Sequence, residues 1–593
     1  AATVLDESRI GAQGPLASFY DAYDKAQEAI TAAKQLWDQT KETVLKLTTT
    51  VDPDNPTYAQ AMVGPLANEI IAAKLEEQES FAAHQTMKLV PRAEAGRERI
   101  WKPKAVITVK RRAPTAEFPD GEIYKIKYRL TIQALSKLRP QGIDFDEKYA
   151  STVAWNSLKT LLALAVSMDL DIKLIDIKSF FLYGKLPPGR RVYMEQPDEW
   201  VSEDKPKEDY ICQVVGNMYG LGEAPLIAKT VLHDCLTEKG VFVQLASDDC
   251  VYRHGDPGGD YCAFGGHVDD LTAIGTPSGT TILEQTLKGK FEITVVENPT
   301  LIVGVQIERN REKKWLKIHQ TDYTAKILAA NGMTDCKGAD SPIEPGAAKA
   351  LMQIPLGEPG PRHVVQAYQA LVGSLIWLMT KTRPDLSFTV NFLCRFLKSP
   401  TQIHLDFARN RPLRFLKQTQ SMGVVFQATT QSWELHGAAD SDLGGDLRTG
   451  RSTMGHYLTL GGQFGTVLTS CRLDRKMSVC TGQAETYALQ DLVKDTIWLK
   501  ELVRELGYEL SPSTSLGTDN DGVWKQSTKT FNHSGAKHYR LAQSYIRQAQ
   551  RNRVINVESE DTDLNAADIF TKALSSAVFM RHQQTIMGPQ QPL

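Results

Sequence analysis

The sequence predicts a mixed α/β (α+β) protein: a helical N-terminal segment, a long mixed region, then a second, compact α/β domain. Three observations carry this expectation. From Ala105 onward, strand-like runs of alternating apolar residues recur between helical stretches. Two such runs present carboxylates inside apolar surroundings: Asp176 in Leu174-Ile-Asp-Ile-Lys-Ser-Phe-Phe181, and Asp269-Asp270 at the tip of the hairpin Phe264-Gly-Gly-His-Val-Asp-Asp-Leu-Thr-Ala-Ile-Gly275. At Ser432 the strand–helix pattern starts afresh.

Taken in order, residues 15–48 read as one long amphipathic helix, with Leu16, Phe19, Tyr23, Ile30, Trp37, Val44 and Leu47 near helical spacing. Thr48-Thr-Thr-Val-Asp-Pro-Asp-Asn-Pro56 ends it, and a second helical stretch covers about 57–83. Ala105-Val-Ile-Thr-Val109 and Tyr124-Lys-Ile-Lys-Tyr-Arg-Leu-Thr-Ile132 read as strands paired around a Pro119-Asp-Gly turn. A Leu/Ala-rich helix at about 154–168 precedes the Asp176 strand. Further strands fall near 211–215, 249–253, 261–275, 302–308 and 315–318, and 363–420 is largely helical. In the last domain Trp433-Glu-Leu-His-Gly-Ala-Ala-Asp440 is a strand followed by a Gly-rich stretch to Gly450. Tyr457–Gly462 and Gly465–Thr469 are further strands. A helix at about 483–506 carries Glu485, a strand–turn carries Asp519, and a last helix carries Asp568.

Composition narrows the class. A chain of 593 residues divides into several domains, and 42% hydrophobic with 23% charged residues is ordinary for a globular protein. The apolar runs Leu161–Val166 and Leu371–Met379 are far too short to span a membrane. There is no secretory signal, and an initial Ala suggests a processed product or a fragment. Eight cysteines without a C-x-x-C pair argue against a structural zinc and a disulfide framework, and for reduced thiols inside a cell. Net charge is −2, so only local charge points to a polyanion: eight Lys or Arg against three acids from Lys102 to Arg129, and a stretch from Arg395 through Lys398, Arg409, Arg411 and Arg414 to Lys417.

The carboxylates are the chemistry. Adjacent acids between apolar strands repel unless a cation neutralises them, and Mg²⁺ pairs held this way move phosphoryl groups. One strand carboxylate plus a hairpin Asp-Asp is what a palm-type nucleotide polymerase needs. Asp440, Glu485, Asp519 and Asp568, converging, would cage two more ions that activate a water; Asp442 and Asp521 are near neighbours that complicate the choice.

An ordered series of motifs resembles the reverse transcriptase–RNase H part of a copia-type LTR-retrotransposon Pol polyprotein, over about residues 56–575. Ile143-Asp-Phe-Asp-Glu-Lys-Tyr-Ala-Ser-Thr-Val153, Asp176–Gly184 with Val192-Tyr-Met-Glu-Gln-Pro197, Tyr219-Gly-Leu-Gly-Glu-Ala-Pro225 and His267-Val-Asp-Asp270 carry the first half. Leu371–Leu378, Thr382–Leu386, Arg448–Thr453, Ala484-Glu485, Asp519-Asn520, Lys537-His538 and Ala567-Asp-Ile-Phe-Thr-Lys572 carry the second. The resemblance implies a right-hand polymerase followed by an RNase H-like domain. Its parts would be an N-terminal helical linker segment (1–90), fingers and palm (91–330), a mostly helical thumb and connection (331–430), RNase H (431–575) and a C-terminal tail (576–593). It implies that Asp176, Asp269 and Asp270 hold the polymerase metals, and Asp440, Glu485, Asp519 and Asp568 those of the nuclease, with two Mg²⁺ or Mn²⁺ per site. Lys127 and Arg129 would contact the triphosphate, with Glu223 at the nucleotide pocket, and Phe181 would stand beneath the sugar and reject a 2′-hydroxyl. RNA template, DNA primer, RNA·DNA hybrid and dNTPs are the implied partners, with no membrane. The implied location is intracellular, in a cytoplasmic virus-like particle or the nucleus.

Departures from the family pattern touch the nucleotide pocket. Glu223 replaces Gln, Leu226 replaces Arg, and Phe180 replaces a small Ala beside the gate residue, where bulk would crowd the sugar. His267 replaces Tyr; Leu443, Thr486 and Ser544 depart in the nuclease part. All seven acids are kept. The alternative expectation is a decayed remnant that binds nucleic acid, with or without residual RNase H activity.

Overall fold

The computed structural model describes residues 52–590 apart from 53, 112–120, 134–149, 202–203, 239, 356, 429–433, 461–464 and 529–533. The 15–48 helix, most of the Pro119-Asp-Gly turn, residues 143–149 of the first motif, Trp433 and Gly461-Gly462 lie outside the described residues. The chain forms two compact units: residues 1–146 with 184–224, and residues 147–183 with 225–593. The second unit therefore holds most of the stretches expected to form the palm, the thumb and the RNase H portion, and the first is built from two separate stretches of chain.

In the first unit the 57–83 stretch is two helices, Tyr58–Met62 and Ala67–Ala83, split at Gly64-Pro65. Thr57 and Gln60 close a capping box over the first. The strands Pro103–Arg111 and Ile123–Ile132 form the expected antiparallel hairpin. In the second of them, Tyr128, Leu130 and Ile132 are buried on one face while Lys127 and Arg129 share the other. A second sheet runs in the order Met87–Pro91, Tyr210–Val214, Val192–Met194, Ile100–Trp101.

In the second unit the Leu/Ala-rich helix Trp155–Ser167 is buried nearly all round. It lies against a six-stranded sheet in the order Ile293–Glu297, Asp171–Ile177, Asp270–Gly275, Cys262–His267, Val251–His254, Val243–Gln244. Gly265 permits that contact, because a Cβ there would stand 2.7 Å from Val153 Cγ2. An all-antiparallel sheet follows (Leu301–Ile302, Val305–Asn310, Trp315–His319, Gly423–Gln427), with helices at Arg362–Lys381, Ser387–Cys394 and Gln402–Gln418. The arginines expected to grip phosphate mostly turn inward. Arg395 pairs with Asp446 at 3.2 Å and Arg411 with Glu344, while Arg414 donates to the Lys337 carbonyl. Guanidinium groups tied to protein partners brace helices and are not available as a phosphate track.

The last sheet has the order Thr466–Leu473, Arg451–Leu460, Leu435–Asp446, Thr514–Thr518, Ile555–Ser559. Its first three strands are antiparallel and the last two parallel, reached through the helix Thr481–Glu505. This is the compact mixed α/β domain that the element order predicts. Two expectations are corrected. The strand carrying Asp440 does not end there but runs to Asp446, breaking register between Asp442 and Asp446 where Gly444 and Gly445 relax the ladder. Residues 576–593 are not a tail: Ser576–Met587 is a helix that buries Phe579, Ile586 and Met587, and Gln583 donates to the buried Asp385 at 2.7 Å.

Candidate active sites

Asp176 alternates with buried Ile175 and Ile177, so its carboxylate points away from the core. Asp270 opens the neighbouring antiparallel strand and lies directly opposite Asp176 in the ladder. His267 and Asp270 are also paired, which leaves Val268 and Asp269 as a two-residue turn. Val268 has φ of 63°, a conformation β-branched residues avoid, and is exposed. The Asp269 carbonyl accepts a 3.0 Å bond from the Ile177 amide, pinning the turn to the Asp176 strand. All three acids thus gather at one end of the sheet, with like charges directly across from each other, an arrangement unfavourable without a cation.

Phe181 follows on the 3-10 turn Phe180–Tyr183, half-buried. Phe180, expected to add bulk beside a sugar, lines a cavity together with Gly266 and Val268 of the hairpin. It is 4% exposed, packed with its ring centroid 6.1 Å from that of Phe291, and belongs to the core beneath the sheet.

Lys127, Arg129 and Glu223 belong to the first unit. The Arg129 guanidinium lies 5.6 Å from the centre of the Tyr219 ring. The Tyr219 carbonyl accepts from the Ile132 amide at 2.9 Å, and Gly220 at φ 93° lets the turn close on that strand. Glu223 is buried and pairs with Arg190 at 3.4 Å, so the charge introduced in place of Gln is neutralised within the protein.

The second constellation is tighter. Among the described residues, Asp440, Glu485 and Asp519 bring ligand atoms within 4.8 Å of one another. Asp440 sits mid-strand at 2% exposure, Glu485 near the start of the helix Thr481–Glu505 at 5%, and Asp519 just beyond a parallel strand. Burial, then the charges of Asp440 and Asp519, raises the Glu485 carboxyl well above its usual value. Burial and Asp440 likewise raise Asp519, and push Asp568 up to about 7. Asp568 stands on the 3-10 turn Ala566–Phe570 and joins the group through Lys572, whose Nζ is 2.7 Å from Asp568 Oδ1 and 3.7 Å from Asp440 Oδ2. Thr571 Oγ1 donates to Asp440 Oδ2. Asp442 is half-buried beside this group, whereas Asp521 is exposed and paired with Lys525 at 2.6 Å, which removes it from contention.

A family model described as reverse transcriptase (RNA-dependent DNA polymerase) matches residues 115–345. The chain is 27% identical over 526 residues to the retrovirus-related Pol polyprotein from transposon TNT 1-94 of Nicotiana tabacum, covering 88% of this chain and 38% of that one. It is 29% identical over 468 residues to the corresponding polyprotein from transposon RE2 of Arabidopsis thaliana, covering 79% and 31%. The family model and these relatives together support a copia-type retrotransposon Pol polyprotein. The chain spans about a third of the length of these curated relatives. Among solved structures, the foamy viral protease-reverse transcriptase in complex with dsDNA aligns over 83% of each chain at 11% identity and a TM-score of 0.41, too loose a fit to bear on the assignment.

Asp440, Glu485 and Asp519 offer the converging oxygen ligands that hard divalent cations take, whereas Asp176, Asp269 and Asp270 share a sheet end without their ligand atoms forming such a group. In the nuclease group the buried Glu485 Oε2 has no hydrogen-bond partner within the protein, as expected of an atom reserved for a ligand. A third acidic cluster is different. The Asp248 carboxylate accepts from the Ala154 amide and Ser157 Oγ at the start of the helix Trp155–Ser167, and Asp249 binds Lys229, so these acids serve the fold. Sequence reasoning missed Lys572, although its place four residues after Asp568 is the spacing at which helical side chains meet. It also missed Arg190, which stands far from Glu223 in the chain and carries no local signal.

Proposed function

We propose that the chain is an RNA-directed DNA polymerase joined to a ribonuclease H. One observation carries this reading: a single chain of this family folds two separate sets of carboxylates, one on each of two sheets. Asp176, Asp269 and Asp270 would hold two Mg²⁺ ions at the palm, and Asp440, Glu485, Asp519 and Asp568 two at the nuclease. Bound there, the ions supply charge neutralisation for in-line phosphoryl transfer and lower the pKa of an attacking hydroxyl or water.

The protein's own part is placement. The pinned Asp269 turn fixes where a triphosphate is held relative to a primer end. Phe181 is the side chain assigned to sense the sugar. Lys127 and Arg129, on one strand face, supply positive charge for the triphosphate, and Arg190 keeps Glu223 from opposing them. At the nuclease, Asp440 and Glu485 are held by a strand and a helix, so their geometry precedes substrate. The partners assigned are an RNA template, a DNA primer, their hybrid and dNTPs. No helix among the described residues is long and apolar enough to cross a membrane, and the proposed location is intracellular.

The test is Mg²⁺-dependent primer extension on poly(rA)·oligo(dT), beside Asp269→Asn, and hybrid cleavage beside Asp440→Asn. Each activity should vanish with its own substitution. Folded protein that binds hybrid but neither extends nor cleaves would replace this reading with that of a binding remnant.

A further inference from the structure

Lys572 occupies an unusual position for a lysine. Its ammonium reaches Asp568 at 2.7 Å and Asp440 at 3.7 Å, yet those two carboxylates are 5% and 2% exposed. An ordinary i,i+4 pair on a helix surface lies in water and contributes little. Here two buried carboxyl groups from a central strand and a separate turn converge on one cation, and the lysine side chain itself remains 38% exposed. The rest of the group, Asp440 with Glu485 and Asp519, is acid alone, with Glu485 Oε2 unpartnered. Asp440 belongs both to that group of converging oxygens and to the contacts of Lys572, so the ammonium stands beside the position a divalent cation would take.

We propose that Lys572 is a tethered counter-cation of the nuclease site: it holds Asp440 and Asp568 together while the site is free of metal, and a divalent ion taken up by Asp440, Glu485 and Asp519 displaces it from Asp440. This inference rests on the metal-binding reading of these acids given above. The tether is short and fixed. Lys572 follows the Asp568 turn directly, and Thr571 Oγ1 anchors the intervening chain to Asp440 itself. A cation carried by the chain is always present at high effective concentration, so it competes with free metal and lowers apparent affinity. It also spares the empty site the repulsion of unscreened buried acids. Displaced, the ammonium retains a route to solvent because the side chain is partly exposed.

The experiment uses the full chain carrying Asp269→Asn and Asp270→Asn, so that the palm does not compete, and titrates Mn²⁺ by loss of the free-ion EPR signal. Lys572→Met is compared with Lys572 and with Lys572→Arg, and thermal unfolding is followed with and without Mg²⁺. The expected result is Mn²⁺ binding at least tenfold tighter in Lys572→Met, unchanged affinity in Lys572→Arg, and a lower metal-free Tm in Lys572→Met that Mg²⁺ restores. Equal or weaker Mn²⁺ binding in Lys572→Met, with binding still abolished by Asp440→Asn, overturns the counter-cation while leaving the metal site standing. Mn²⁺ binding that is absent throughout, or indifferent to Asp440→Asn, overturns the metal-site reading and this inference with it. Should Lys572→Met fail to fold even with Mg²⁺, Lys572→Gln takes its place, and the affinity comparison decides in the same way.

Discussion

Asp269 stands on a two-residue turn next to a Val268 held at φ 63°, whereas Asp440 lies mid-strand in a five-stranded sheet with 2% of its surface exposed. The palm acids are clustered by backbone alone: one cross-strand pairing and one amide-to-carbonyl bond. The nuclease acids are clustered by burial, with a hydroxyl and an ammonium of the protein already bonded to them. The contrast teaches that carboxylates can be brought together in two ways. A turn at a sheet end costs little desolvation but stores strain, while a buried group gains rigidity and must be supplied with counter-charge.

The largest expected effect separates the two sites outright. Asp440→Asn should lower hybrid cleavage by at least ~10²-fold and leave primer extension intact, and Asp269→Asn should do the reverse. Loss of both activities from either substitution would break the comparison. Acid should reveal the cost of the buried arrangement. His582, in the helix behind the Asp568 turn, is 2% exposed, and burial, then Arg581 and Lys572, lowers its pKa to about 4. Unfolded, the same imidazole titrates near 6.5, so between these values the unfolded chain binds the extra proton. The His582 contribution is therefore intact above pH 6.5 and falls as pH drops to 4, by about 3 kcal/mol, against an opposite contribution from Asp568, whose raised carboxyl is relieved by protonation as pH falls through about 7. His582→Phe should remove the His582 contribution, seen as a pH-dependent difference from the unsubstituted protein in urea unfolding.

Smaller changes sharpen the contrast. A Cβ at Gly455 would stand 2.4 Å from Phe570 Cβ, on the turn that carries Asp568. Gly455→Ala should cost about 1–3 kcal/mol and impair cleavage more than extension, as measured by paired assays on one preparation. Val268→Gly should relieve the strained turn, partly offset by backbone entropy, and raise stability by at most ~1 kcal/mol. Extension should nonetheless fall, because the turn that carries Asp269 becomes less well defined.

Much of this was legible from patterns with a period. Alternation placed Asp176 outward between Ile175 and Ile177, and the hairpin pairing followed from the apolar flanks of Asp269-Asp270. Element order gave the expectation that Asp440, Glu485, Asp519 and Asp568 converge; the oxygens of the first three meet, while Asp568 joins them only through Lys572. What eluded the sequence depends on long side chains and distant partners. Arg395 reads as part of a basic stretch but is drawn inward by Asp446, which lies far along the chain at the end of the strand Leu435–Asp446. Phe180 reads as bulk beside a sugar, and its packing into the core from the 3-10 turn carries no local signal. The helix Ser576–Met587 was hidden by its polar run Arg581-His-Gln-Gln584, although Phe579 and Ile586 recur at helical spacing.

The discontinuous make-up of the first unit has a consequence for synthesis. Its stretch Gly184–Ala224 is made after the Asp171–Ile177 strand but before either neighbour of that strand, Asp270–Gly275 or Ile293–Glu297. At ~5–20 residues per second, the Asp176 strand waits about five to twenty seconds for its partners. Throughout that interval Ile172, Ile175 and Ile177 form an apolar strand with two open edges, the state most prone to pair with another chain. A ribosome slowed between these segments would lengthen that exposure, which ties the yield of correctly folded protein to the speed of translation through residues 178–269.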